Sequence, residues 1–216
     1  MLHRKGMARV ALAVSLFVGL ATAASASAAP VEGPAGEAFY TIPGTLPEGG
    51  AGTLIQYRPT TVNLGVPLPS VKAYDVMYKS TSQTNEASVD TGMVIEPTAA
   101  WTGSGSRPVI DVAEGTQGLG HQCAPSLQIT AGTEYDGASI VAALKKNYAV
   151  DVTDYEGYTN GAVPSYIAGR AEGHAVLDIA KAAPQLPGTG ISSSAPVTGS
   201  LPPSKVRPSS TASGVP

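Results

Sequence analysis

Between Arg107 and Gly157 the spacing of apolar and polar positions changes period twice. The run PVIDVA, residues 108–113, is apolar except for Asp111, which is the composition of a buried strand. Three glycines follow within the six residues Gly115 to Gly120, as a backbone turning sharply off a strand requires. Behind Asp136, in a capping position, Ile140, Val141 and Leu144 recur at helical spacing and predict a helix from Tyr135 to Asn147. YAVDVTDYEG then returns to strand composition and stops in acidic and glycine residues. Strand, glycine-rich loop, helix and strand in that order imply a parallel sheet whose sites lie at the carboxyl ends of its strands.

The flanking stretches extend this unit in both directions. TLIQYRPTTVNLG, VKAYDVMYKSTS and ASVDTGMVIEP read as three strands, the antiparallel start of a mixed sheet, although the two parities of the second are not cleanly sorted. Before them, the Pro- and Gly-rich stretch from Pro30 to Gly52 has only Phe39 and Tyr40 as large side chains seeking a core. After the unit, Pro164 suits a first helical turn. Ile167, Ala171, His174, Ala175, Leu177, Ile179 and Ala182 give a mostly apolar stripe, so a second crossover helix is expected from Ser165 to Ala183. ISSSAPV should open the next parallel strand. Residues 198–216, TGSLPPSKVRPSSTASGVP, have no periodicity and read as a disordered tail. The expectation is about six strands and two helices; an all-β sandwich is the competitor, and helical circular dichroism separates the two.

The first 28 residues add a compartment. Arg4, Lys5 and Arg9 precede an apolar run from Val10 to Leu20, and Ala-x-Ala follows at Ala24 to Ala26 and again at Ala26 to Ala28. That order is a secretory signal peptide; the apolar run is far short of the roughly 20 residues that span a bilayer. Cleavage after Ala28 would leave 188 residues with 10 Lys and Arg against 16 Asp and Glu, a formal charge of −6 in place of −3. Nucleic acid is an unsuitable partner for so acidic a chain.

The candidate chemistry is sparse. Cys123 is the only cysteine, so it is either an inert buried thiol or the link in a disulfide-bonded dimer. His121 lies in the glycine-rich loop and reads as loop decoration, while His174 lies on the stripe of the second helix and reads as a packed or hydrogen-bonded residue. Asp151, Asp154 and Glu156 suggest a metal, but Asp151 and Asp154 have opposite parity on a strand and no histidine lies nearby in sequence. A glycosidase would need two acids on separate elements facing across a cleft. Acids that fix a neighbouring loop through backbone N–H groups are the simpler account.

EGTQGLGHQCAPS, AGTEYDGASIVAALKKNYAVDVTDYEG and YIAGRAEGHAVLD, in this order and at these spacings, resemble the secretory lipase family of α/β-hydrolase-fold esterases and triacylglycerol lipases from actinobacteria and yeasts. The resemblance runs from about Phe39 to Val197. It implies a partial α/β-hydrolase fold in which residues 29–197 form the amino-terminal part of the domain, with a mixed, mostly parallel sheet and crossover helices. It also implies a secreted ester hydrolase of lipid catabolism that acts on acyl esters or triacylglycerols through a serine acyl-enzyme, with no cofactor and no metal. Gly115 and Thr116 stand where such a plan places a backbone N–H of the oxyanion hole.

The same resemblance predicts a Gly-x-Ser-x-Gly elbow just past Val197, then a cap, an acid and a histidine. The sequence there reads TGSLPPS, and no Gly-x-Ser-x-Gly occurs among the 216 residues. A frameshift or early stop in the gene would account for this, and for Cys123 lacking the distant partner that family members can supply. Ser192 or Ser200 as a substitute nucleophile lacks an elbow and any histidine after His174. The expectation is an inactive amino-terminal portion, with a non-catalytic secreted binding protein as the rival.

Overall fold

The structure, a computed structural model, describes residues 29–115, 117–135, 137–158 and 163–200. The expected leader, Thr116, Asp136 and residues 201–216 lie outside them. Among the described residues, seven strands form one sheet: β1 (Val31–Glu32), β2 (Leu54–Thr60), β3 (Val71–Thr81), β4 (Ala87–Pro97), β5 (Val109–Val112), β6 (Ala149–Tyr155) and β7 (Val197–Ser200). Their order is β1-β2-β3-β4-β6-β5-β7. β2, β3, β4 and β6 pair antiparallel in succession, whereas β5 is parallel to both its neighbours, β6 and β7. The expected strand–helix–strand unit is present. ISSSAPV delivers the chain to the next parallel strand, which continues through residues 198–200 of the stretch read as tail.

Helices cover both faces. α1 (Pro125–Ala131) and α2 (Ala138–Lys145) lie between β5 and β6 in sequence, and α3 (Gly169–Ala182) lies between β6 and β7. Ile129, Ile140 and Leu144 pack with Met93, Ile95, Val112, Val150 and Val152 on one face. Ile179 and Ala182 pack with Val76, Tyr78, Val94, Val109 and Ala149 on the other. A sheet covered on both sides wants apolar residues at both parities, which is why the middle of β3, Asp75 to Tyr78, shows no sorted alternation: all four are buried. α3 approaches closely at Gly92, where β4 also slips register; a Cβ there would stand 2.4 Å from the Val152 carbonyl oxygen and 2.5 Å from Ile179 Cδ1.

The helices differ from expectation at their ends. α2 starts at Ala138 and stops at Lys145, and α3 starts at Gly169 instead of Ser165. Ile167 has a left-handed φ of 62°, which no helix can pass through, so Pro164 stays outside the first turn. The buried stripe of α3 is Ala171, Ala175, Asp178, Ile179 and Ala182; Leu177, expected in it, is 59 % exposed. α1 was not anticipated, although Pro125 at its start and Gly132 in the left-handed conformation after its end are boundary signals.

Candidate functional site

Val112 of β5 aligns with Ser200 of β7, so the two chains leave the sheet side by side at its carboxyl edge. From β5 the chain continues through Ala113 and the buried Glu114 to Gly115, which is partly accessible. The Tyr155 hydroxyl, at the end of β6, donates a 2.8 Å hydrogen bond to the Glu114 carbonyl. Tyr155 itself sits at φ 64°, a conformation that costs a non-glycine residue about 1–2 kcal/mol. Burial, reinforced by the charges of Glu172 and Glu114, raises the Tyr155 phenol above its ordinary value and keeps it a donor.

The rest of the glycine-rich loop is pinned at several points. The Tyr158 hydroxyl donates to the Gly118 carbonyl. His121 Nδ1 lies 2.6 Å from the Tyr158 carbonyl and Nε2 lies 3.0 Å from Glu37 Oε2; the ring meets Tyr40 edge-on at 4.7 Å. His121 therefore ties the amino-terminal wrap to two loops and is more than decoration. Asp154 anchors the far end: its Oδ1 accepts the Ser126 N–H at 2.7 Å, and its Oδ2 accepts the Ser126 hydroxyl at 2.8 Å and the Thr91 hydroxyl at 2.7 Å. Burial raises the Asp154 carboxyl, while these donors from Ser126 and Thr91 pull it back. An acid fixing a loop through a backbone N–H is the role read from the sequence.

The Cys123-linked dimer is overturned. The chain has one cysteine, and its thiol is partly buried beneath Gly118, whose φ is 134°. A Cβ on Gly118 would stand 2.5 Å from Cys123 Sγ, so the sulfur packs into the space beneath the loop. His174 Nδ1 lies 3.0 Å from the Thr81 carbonyl, which makes it a hydrogen-bonded helix residue. Ser192 Oγ contacts Ser194 Oγ at 2.8 Å. Thr116 lies outside the described residues.

The acids expected to diverge do so. Asp154 faces α1, whereas Asp151 faces the other side of the sheet and is the register partner of Asp111 on β5. Among the described residues no three of His, Cys, Asp and Glu come together to hold a metal. Asp111 and Asp151 are both buried, and neither Asp151 oxygen has a hydrogen-bond donor. Burial raises both carboxyls, and the charge of Asp111 raises Asp151 further. The sequence showed Asp111 only as a break in an apolar run; parallel register gives it a partner.

Residues 122–199 match the family described as secretory lipase. The chain is 28 % identical over 178 residues to a secreted triacylglycerol lipase of Malassezia globosa, an alignment covering 76 % of this chain and 35 % of that protein. It is 27 % identical over 176 residues to one of Malassezia furfur, covering 77 % and 36 %. The chain thus spans about a third of the length of these relatives. Among solved structures, lipase A of Candida antarctica in its closed state superposes with a TM-score of 0.59 at 23 % identity, over 70 % of this chain and 35 % of that one. The rice cell wall degrading esterase of Xanthomonas oryzae gives 0.53 at 20 % identity, over 70 % and 42 %. Both likenesses are of fold.

Proposed function

We propose that this chain is a member of the secretory lipase family and that residues 29–200 form the amino-terminal portion of a secreted triacylglycerol lipase fold that does not turn over esters by itself. One observation carries the reading: β5 and β7 leave the sheet side by side, so the Gly115 loop flanks the position where a hydrolase of this plan raises its nucleophile. Gly115, with Thr116, supplies the backbone N–H for the oxyanion. After β7 the sequence reads LPPSKVR and contains no serine elbow. Nucleophile, base and orienting acid act as a unit, and the oxyanion donors alone leave only a small residual acceleration. Export fits the Arg- and Lys-led apolar leader and the secreted relatives. Amino-terminal sequencing of exported chain should begin at Ser27 or Ala29.

The test is hydrolysis of short- and long-chain p-nitrophenyl esters by the purified chain, together with labelling by a serine-reactive fluorophosphonate. No turnover above blank and no specific label are expected. Labelling with turnover overturns the reading. A non-catalytic binding role is the second reading, favoured by the outer edge of β7, which pairs with no other described strand and offers its backbone to a partner strand.

A further inference from the structure

We infer that Tyr155 is the positioning residue for the Gly115 N–H, acting through the peptide bond between Glu114 and Gly115; this rests on the reading of Gly115 as an oxyanion donor. No cis peptide occurs among the described residues, so the Glu114 carbonyl and the Gly115 N–H lie in one plane and point in opposite directions. A donor that holds the carbonyl therefore aims the amide. The Tyr155 hydroxyl is that donor, at 2.8 Å, and it directs the Gly115 N–H away from the tyrosine. β6, which ends at Tyr155, and β7 flank β5 on opposite sides, and it is beside the end of β7 that an oxyanion would form.

Three further features make Tyr155 a device and not an incidental contact. Its backbone is left-handed at φ 64°, a conformation that a bulky side chain adopts only when the surroundings over-determine it. Its amide donates a 2.9 Å hydrogen bond to the Thr153 hydroxyl, and that hydroxyl lies 2.6 Å from the Tyr78 hydroxyl, which itself donates to the Ala175 carbonyl at 3.0 Å. The bend is thus tied to β3 and α3. Gly115, meanwhile, stays partly accessible. The tyrosine stays behind the peptide, touching its carbonyl and not the ligand.

The experiment is nuclear magnetic resonance on the 15N-labelled chain. In the wild type the Gly115 amide should be rigid, with an order parameter of about 0.85, and its cross-peak should shift on titration with butyrate, a small carboxylate standing in for an oxyanion. Tyr155→Phe removes one oxygen and keeps the ring; it should lower the Gly115 order parameter below about 0.6 and abolish the butyrate shift, with the circular dichroism unchanged. Tyr158→Phe, which releases the Gly118 carbonyl of the same loop, should loosen Gly118 and leave Gly115 rigid and responsive. The Gly115 N–H residual dipolar coupling in the wild type tests the aim without any variant. A coupling that does not fit, or a Tyr155→Phe chain with Gly115 still rigid and responsive, overturns the positioning role. A Gly115 that loosens in Tyr155→Phe but ignores butyrate in the wild type overturns the oxyanion reading beneath it.

Discussion

The two faces of the sheet are built from different chemistry. Under α1 and α2 the sheet presents Met93, Ile95, Val112, Val150 and Val152, and its buried acids are partnered, Asp154 by three donors and Asp75 by Arg58 at 2.9 Å. Under α3 the apolar core gives way to Tyr78, Ser80, Asp90, Asp111, Asp151 and Thr153, all buried, with Asp178 descending from the helix to accept the Ser80 hydroxyl at 3.1 Å. The first face is held by removal of apolar surface from water, which does not depend on protonation. The second is stable only while its carboxyls keep protons or partners, so the faces should come apart under different challenges.

The largest effect belongs to the apolar face. Ile140 is fully buried among Ile129, Leu144 and the strands, and Ile140→Ala should cost about 3–4 kcal/mol through lost burial and the cavity left behind. Urea unfolding at pH 5 and pH 8 should show the same loss at both; a loss that changes with pH would mean that the faces are coupled.

The other face should answer to pH in the wild type. Burial pushes Asp90 up to about 7, with the charges of Glu156, Asp178 and Asp154 adding to the rise. Asp111 and Asp151 rise as a pair. A carboxyl raised in the folded state binds a proton that the unfolded chain, with ordinary aspartates near 4, has already released. Its contribution is therefore complete below about 4 and is lost as pH climbs through about 7. Stability should fall by roughly 3 kcal/mol between pH 5 and pH 8. Asp111→Asn, which replaces one of the two carboxyls with a neutral amide, should flatten that slope; an unchanged slope would move the titration away from the pair.

How much of this was readable follows from what local sequence encodes. The central unit was legible because its apolar spacing changes from strand to helix and back, and β7 because ISSSAPV follows a crossover helix. Asp151 and Asp154 were correctly assigned to opposite faces from parity alone. The Asp111 partner was not legible, since it exists only through the register of β5 with β6. Nor was Tyr155, whose left-handed backbone and bond to the Glu114 carbonyl are tertiary features inside what reads as plain strand composition. α1 escaped because its seven residues are too few to display a period.

Asp154 is an exception that the comparison must accommodate, a fully buried acid at the edge of the apolar side. Asp154→Ala would strand the Ser126 N–H, the Ser126 hydroxyl and the Thr91 hydroxyl, at a cost of about 2 kcal/mol. Because Ser126 lies in the first turn of α1, three residues after Cys123, the same change should speed the reaction of the Cys123 thiol with a disulfide reagent under native conditions. Thiol kinetics identical to wild type would mean that α1 is held by packing and not by Asp154.

The smallest effect is the sharpest test of which side of α3 meets the sheet. Apolar spacing put Leu177 in the buried stripe, and a buried leucine cut to alanine typically costs about 2–5 kcal/mol. In the structure Leu177 is 59 % exposed, while the neighbouring Asp178 is turned inward, its carboxylate receiving the Ser80 hydroxyl and, at 2.7 Å, the Lys181 ammonium. Helical geometry sets consecutive residues about 100° apart, so burying Asp178 beside Ala175 and Ile179 necessarily rotates Leu177 toward solvent. Leu177→Ala should therefore change the unfolding free energy by less than about 0.5 kcal/mol, the range of surface substitutions. A loss of about 2 kcal/mol or more would place Leu177 against the sheet and Asp178 outside. The acidic character of that face would then lose one of its members.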